Sequence, residues 1–225
     1  MPELIEWPRD LMRIVDATYF PKSSTRSAGR GLSGSEQIIG TETSEWTVAL
    51  TFALDFNSDR MRRFEAQVAM MRGRLNSALL PICDPFRYGN RVSPLQESWR
   101  DSTFFSDDTG WSSGAVVQPL QTAAAASAGD SQLTTQLADP LRPSLRVGDF
   151  FTHDGWLHQV VRRNEAGWVR FEPPLRRPIA SGRTLLTDPP MWRCRFASDE
   201  EGRRMRERLR WGATVTVNFV EDFDR

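Results

Sequence analysis

The chain is poor in the residues that build catalytic and metal sites, and it carries no excess charge. Its 225 residues include 2 histidines and 2 cysteines, and 29 basic residues balance 29 acidic ones. Cys83 and Cys194 stand far apart in apolar strand patterns, so we expect two buried thiols and no disulfide framework. A chain without net charge has no field that attracts nucleic acid or an anionic membrane surface. We therefore expect protein partners, no cofactor and no metal.

From the sequence we expect neither a signal peptide nor a transmembrane helix. Its start, Met1-Pro2-Glu3-Leu4, has neither the basic residues nor the apolar run of a signal peptide, and no apolar run is long enough for a transmembrane helix. Arginine supplies every positive charge except that of Lys22, and its planar guanidinium suits bidentate pairing across protein interfaces. These features predict a protein made in the cytoplasm that has arginines available for an oligomer interface.

The strongest pattern is a strand, a helix and a second strand between Trp46 and Pro85. Large apolar residues alternate with small ones from Trp46 to Phe56, which is the period of a strand with one buried face. Asn57 and Ser58 offer N-cap oxygens for a helix that follows. The apolar stripe of that helix is Met61, Phe64, Val68, Met71 and Leu75.

The helix is expected to weaken at Gly73 and Asn76, and the segment from Ser77 to Cys83 is the predicted return strand. The same order recurs, shortened, from Trp192 to Phe223. A strand at Trp192, Cys194 and Phe196 leads to a cap and acidic first turn at residues 198–201, then a helix at 203–211 and a last strand at 214–220. Two such units could share one sheet, and the few matched identities leave duplication open.

Two stretches have little regular pattern. From Lys22 to Glu45, serine, threonine and glycine dominate, so this arm should be mobile when alone. It either stays a disordered loop or becomes ordered only across a neighbouring subunit, and we favour the second. From Gly89 to Gly114 aromatic and acidic residues alternate without a period, which indicates a connector.

The segment from 116 to 190 shows short β runs separated by turn residues. Residues 128–130 form a predicted turn, and Asp154-Gly155 predicts a hairpin between strands at 145–152 and 156–162. A second hairpin turns at 164–167 into a strand at 168–171, which Pro173-Pro174 ends. Four or five short antiparallel strands predict a small barrel of the SH3 or OB type.

Two of these segments resemble tail proteins of tailed bacteriophages and related prophages. Leu145-Arg146-Val147-Gly148-Asp149-Phe150, continued by Gly155-Trp156-Leu157-His158 and Pro173-Pro174-Leu175-Arg176, is similar to a cassette of such proteins. The unit from Trp46 to Phe86 resembles the belt domain of siphophage distal-tail and tail-tip proteins. Thr214 to Phe223 is similar to the last strand of that domain.

The resemblance implies a mainly β (α+β) fold. Residues 1–115 and 191–225 would form a tail-tube-like β-sandwich belt domain with one or two packed helices, and residues 116–190 would form an inserted small β-barrel. It implies a structural virion protein without enzymatic activity, assembled in the host cytoplasm into a ring at the distal end of the tail. A hexamer is favoured over a trimer, although the second strand–helix–strand unit raises a trimer with pseudo-sixfold symmetry. The partners would be further copies, the tail tube protein, the hub or baseplate protein and the tape measure protein.

The residues expected at the oligomer interface come from the arm and from the small-residue face of the first strand. They are Arg26, Arg30, Leu32, Ile38, Thr47, Ala49 and Thr51. Trp99 and Trp111 in the connector are candidates for stacking on a glycan or on a partner, although burial of the connector against the belt domain is the favoured explanation. The aromatic connector makes a carbohydrate-binding module of the tail tip one alternative function. A head-proximal tail-completion or terminator protein is another, because such proteins use similar sandwich folds.

A catalytic function would have to use His153, Asp154 and His158, or a pair of Cys83 with His158. His153 and Asp154 flank the predicted hairpin tip, where solvated turn residues are the simpler interpretation. Nothing in the sequence brings Cys83 to His158. Asp101, Asp107 and Asp108 lack the spacing of a calcium loop. We therefore predict no catalytic and no metal residues.

Overall fold

The computed structural model divides the chain into two compact units. The first consists of Met1–Asp84, Asp154–Leu157 and Met191–Arg225, and the second of Pro85–His153 and His158–Pro190. The structure describes residues 2–23, 25–30, 34–40, 44–54, 58–82, 96–97, 111–112, 119–136, 144–203 and 213–223.

Strands dominate both units, so the fold is mainly β, as predicted. One α-helix, α1 (Ser58–Met71), lies among the described residues, together with a 3-10 helix at Arg9–Leu11. The strands are β1 (Leu4–Glu6), β2 (Ile14–Lys22), β3 (Thr25–Arg30), β4 (Glu36–Gly40), β5 (Glu45–Leu54), β6 (Ser77–Pro81), β7 (Gln96–Glu97), β8 (Trp111–Ser112), β9 (Gln132–Thr134), β10 (Phe150–His153), β11 (Trp156–Arg163), β12 (Trp168–Glu172), β13 (Met191–Phe196) and β14 (Ala213–Glu221).

The first unit contains a six-stranded mixed sheet in the order β1-β6-β13-β14-β5-β2. The strands of the two predicted strand–helix–strand units therefore share one sheet, as expected. They are not placed equivalently, because β13 and β14 are neighbours whereas β5 and β6 are separated by both of them. All pairings are antiparallel except that of β1 with β6.

One face of this sheet forms the core of the unit. The predicted alternation is confirmed, because Trp46, Val48, Leu50 and Phe52 are buried and so are Trp192, Cys194 and Phe196. Trp7, which the periodicity did not single out, is fully buried, and its ring lies within 6.3 Å of the rings of Phe52, Phe64, Phe196 and Phe219. Among the described residues α1 covers this face, and the second sheet of the expected sandwich stays a prediction.

The helix ends one turn earlier than its apolar stripe predicts. Arg72 and Gly73 have positive φ values of 48° and 62°, which ends the helix, and Leu75 beyond them is 56% exposed. An ideal Cβ on Gly73 would lie 2.6 Å from Asp199 Oδ1, so a larger residue would require Asp199 to shift. Gln67, which the predicted apolar stripe does not include, is buried, and its side-chain amide donates to the Glu6 carbonyl at 3.2 Å. The expected N-cap residue Asn57 lies outside the described residues.

The acidic segment Ser198–Glu201 forms turns, so its prediction as the first turn of a helix is wrong. Asp199 Oδ1 instead accepts the Arg74 amide at 3.0 Å beyond the end of α1. Glu201 accepts the Asn218 amide of β14 at 2.8 Å. The same oxygens that cap a helix are thus used to bind neighbouring backbone amides. The rest of the predicted helix at 203–211 lies outside the described residues after Arg203.

The second unit contains a half-barrel of four antiparallel strands in the order β10-β11-β12-β9. Two segments without regular secondary structure, one around Ala123 and one around Leu186, continue the hydrogen bonding of this sheet at its two edges. Ala123 donates to Thr134 at 2.7 Å beside β9, and Leu186 donates to Thr152 at 3.0 Å beside β10. Leu185 donates to Leu120 at 2.8 Å and so joins the two segments. The enclosed core is Leu120, Leu133, Leu145, Phe151, Val160, Val169, Phe171, Leu175, Ile179 and Leu185.

Both predicted hairpins of this unit are present. Asp154 and Gly155 have φ values of 49° and 79°, as a two-residue hairpin turn requires, and the Asn164 side chain accepts the Trp168 amide at 2.9 Å. The first strand is shorter than predicted. Leu145 to Asp149 form a turn in which the Asp149 side chain accepts the Arg146 amide at 2.7 Å, and the strand begins at Phe150.

Candidate assembly surface

The arm between β2 and β5 is a β-hairpin, so its expected disorder in the isolated chain is wrong for the residues of β3 and β4. β2 and β5 pair up to Lys22 and Glu45, whose side chains form a salt bridge of 2.9 Å. Pairing resumes with Thr25 opposite Gly40 and continues outward. The β3–β4 hairpin is thus a separate two-stranded sheet, whose first pair follows closely in sequence on the last pair of β2 with β5.

A bulge in β3 distributes the side chains of the arm over two faces. Ser27 pairs with Ile38, but the next pair is Arg30 with Glu36, so β3 has one extra residue. Residues directly opposite each other share a face. Arg30 therefore lies on the face of Ile38, whereas Arg26 lies opposite Ile39 on the other face. We call these the Ile38 face and the Ile39 face.

Every residue of β3 and β4 is exposed, including two large apolar side chains. Ile38 is 65% exposed and Ile39 is 57% exposed, one on each face of the hairpin. A two-stranded ribbon without a covered face is at best marginally stable in water. Each face combines an isoleucine with an arginine, the side chains that a protein partner would cover. The arm thus has the chemistry of a contact element on both faces.

The outer face of the six-stranded sheet, opposite to α1, carries the predicted small residues. Thr47, Ala49 and Thr51 of β5 are only partly covered, and Thr51 Oγ1 lies 2.9 Å from Thr216 Oγ1 of β14. The neighbouring edge strand β2 exposes Phe20 and Val15, at 58% and 64%. The structure places Arg26, Arg30 and Ile38 on the arm and the three β5 residues on this sheet. Nothing in the structure tests their role at an interface.

The other predicted contact residues are less well placed. Leu32 and Trp99 lie outside the described residues. Trp111 belongs to β8, which pairs with β7 through Glu97 opposite Trp111. The connector therefore contains at least one short β ladder, and its role in glycan binding stays a prediction.

Both histidines considered for catalysis are buried. His153 is 5% exposed, so its interpretation as a solvated turn residue is wrong, and β10 buries it next to the exposed Asp154. His158 is 1% exposed, stacks on Phe151 at 5.1 Å and has Nδ1 2.7 Å from the Pro173 carbonyl. Cys83 lies outside the described residues. Burial, followed by the charges of Asp222 and Glu221, raises the pKa of the Cys194 thiol well above its ordinary value, which disfavours the nucleophilic thiolate.

Among the described residues no three histidine, cysteine, aspartate or glutamate side chains form a group that could hold a metal ion. A cleft of about 80 Å³ in the second unit is lined by Arg163, Glu165 and Trp168 among other residues. Sites for small molecules usually measure roughly 300 to 1,000 Å³. This cleft is smaller than such sites.

Sequence reasoning missed a buried ionic cluster on the outer face of the sheet. The Asp222 carboxylate is fully buried and accepts from Arg193 Nε at 2.8 Å, from the Arg195 guanidinium and from Ser77 Oγ. This cluster fixes the end of β14 against β13 and β6. The phrase Glu221-Asp222-Phe223 marked the position, but only the pairing of three strands shows the function of the carboxylate.

No protein-family model matches the sequence, and no curated protein is significantly similar to it. No helix among the described residues is long and apolar enough to cross a membrane.

Proposed function

We propose that this protein is a structural component of a bacteriophage tail, forming a ring at the distal end that joins the tail tube to the hub or baseplate. Its first unit would be the belt domain, completed to a sandwich by neighbouring structure, and the second unit a barrel inserted in that domain. The exposed β3–β4 hairpin carries the proposal, because a two-stranded ribbon that exposes an isoleucine on each face needs a partner surface.

Further features support the same role. The outer face of β5 carries the small residues Thr47, Ala49 and Thr51, on which another chain can approach closely. The mainly β fold and the shared sheet are compatible with the resemblance to belt domains. The hexamer and the tail partners are inferred from that resemblance alone.

The position in the virion can be tested by immunogold electron microscopy. Antibodies against the purified protein would be applied to virions of the phage or induced prophage that encodes the chain. Label at the distal tip of the tail is the expected result. Label at the neck would instead support the head-proximal tail-completion alternative, and virions without label would contradict a structural virion protein.

Ring formation can be examined separately on the purified protein by negative-stain electron microscopy. Closed rings with a central opening are expected at micromolar concentration. A variant in which Gly-Ser replaces the hairpin residues 25–40 should give single particles, because it lacks both exposed isoleucines. Rings of unchanged size in that variant would show that the arm is not the contact element.

A further inference from the structure

We infer that the Ile39 face of the arm binds the outer side of strand β1 on a second copy of the chain. This inference rests on the proposed function, because it names the partner surface within the ring. It is argued from the exposed residues of the two surfaces and from their positions in the sheet.

The two faces of the arm differ in charge balance. On the Ile38 face, Arg30 pairs in register with Glu36, so positive and negative charge lie directly opposite each other. On the Ile39 face, Arg26 lies opposite Ile39 and has no acid across the ladder. The Ile39 face therefore presents an apolar side chain beside a positive charge, and its complement is an apolar side chain beside a carboxylate.

Strand β1 presents that complement. Leu4 and Glu6 are both exposed on the outer side of β1, while Ile5 between them is buried towards the core. They are two residues apart in a strand, hence about 7 Å apart along it. Leu4 is 50% exposed. With Ile39 against Leu4, Arg26 of the same arm can reach Glu6 with its long side chain.

Hydrogen bonds of Asn76 fix the start of β1. Asn76 accepts the Glu3 amide at 3.0 Å and donates to the Met70 carbonyl at 2.7 Å, which ties the start of β1 to the end of α1. The exposed surface of this strand, which we call the β1 patch, consists of Leu4 and Glu6.

The occupant is a second copy because the arm does not reach the β1 patch of its own chain. β1 and β2 are the two edges of the six-stranded sheet, five strand spacings of about 4.8 Å apart, or about 24 Å. Arg26 lies only four residues beyond Lys22, the last paired residue of β2, and four extended residues span at most about 14 Å, so Arg26 and its ladder partner Ile39 stay near the β2 edge. A contact between opposite edges of identical chains is heterologous, and it closes into a ring when the rotation between neighbours divides a full turn.

Charge exchange tests this contact with a control in the same hairpin. Sedimentation velocity would give the dissociation constant of the self-association for each variant. Arg26→Glu and Glu6→Arg should each weaken association at least tenfold, and the double variant should recover most of that loss. Arg30→Glu makes the same charge change on the Ile38 face and should alter the constant less than threefold.

A cross-link provides a direct second readout. In a Cys83→Ser, Cys194→Ala background, Ile39→Cys combined with Leu4→Cys should give disulfide-linked oligomers on mild oxidation. Ile38→Cys combined with Leu4→Cys is the matched control and should remain uncross-linked. The docking inference is overturned if association persists unchanged in Arg26→Glu, if Arg30→Glu is equally damaging, or if the double variant does not recover. A wild-type chain that stays monomeric would overturn the ring itself, so the two failures are distinguishable.

Discussion

Replacing the buried carboxylate of Asp222 should strongly destabilise the first unit. In Asp222→Asn only one acceptor oxygen remains, so one of the two charge-assisted hydrogen bonds from Arg193 and Arg195, each worth about 1.5 to 3 kcal/mol, would be lost. The two guanidinium groups would also lose the negative charge that Asp222 supplies. Their side chains are 24% and 22% exposed, so water recovers part of this cost. We expect a loss of about 3 kcal/mol, at the lower end of the range for broken buried pairs.

Urea unfolding followed by tryptophan fluorescence measures this loss, because Trp7, Trp46 and Trp192 are all buried in the first unit. Asp10→Asn is the matched control. Asp10 also pairs with an arginine, Arg63, but both side chains are about half exposed, so the change should cost less than about 1 kcal/mol. A cost for Asp222→Asn no greater than that of the control would refute the importance of the buried cluster.

Three further substitutions give separate tests. Gly29→Ala should weaken self-association without lowering the melting temperature, because Gly29 has a φ of 95° in the exposed arm bulge; a lower melting temperature would contradict this. Gly73→Ala should cost about 2 kcal/mol in urea unfolding, since its Cβ would lie 2.6 Å from Asp199 Oδ1 at positive φ, and a neutral change would show that Asp199 moves freely. Burial, followed by the Asp222 charge, raises the pKa of Cys194, so above the ordinary thiol pKa of about 8.5 the unfolded chain loses a proton that the folded chain keeps. The unfolding free energy should therefore fall by up to about 1.4 kcal/mol per pH unit in that range. The fall should be smaller in Cys194→Ala.

Strands with one buried face could be predicted from the sequence. In β5 and β13 every second residue is buried, so large apolar residues such as Trp46 and Trp192 alternate with others along the sequence. This alternation can be recognised without knowledge of the tertiary structure. The order of the strands could not be predicted, because insertion of β13 and β14 between β5 and β6 depends on long-range pairing. The central position of Trp7 has the same origin, since residues from four distant segments create it.

The two strands of the arm could not be predicted from the sequence. β3 and β4 expose both faces, so no alternation marks them, and their small polar residues read as a loop. Pairing of β3 with β4 therefore had no signal in the local composition. Likewise, the cap pattern at Ser198–Glu201 was recognised as helix chemistry, although its oxygens bind the Arg74 and Asn218 amides. Local patterns identify the chemical group, and the tertiary structure selects its partner.

The most direct measurement of the ring proposal is the solution mass of the purified protein by light scattering over a wide concentration range. The account predicts a concentration-dependent hexamer, or a trimer, that dissociates when Ile38 and Ile39 are both replaced by serine. The chain has a mass of 25.6 kDa, so a monomer and a ring are readily separated. A strict monomer at every concentration, unaffected by the two isoleucine substitutions, would contradict the assignment of the arm as an assembly element.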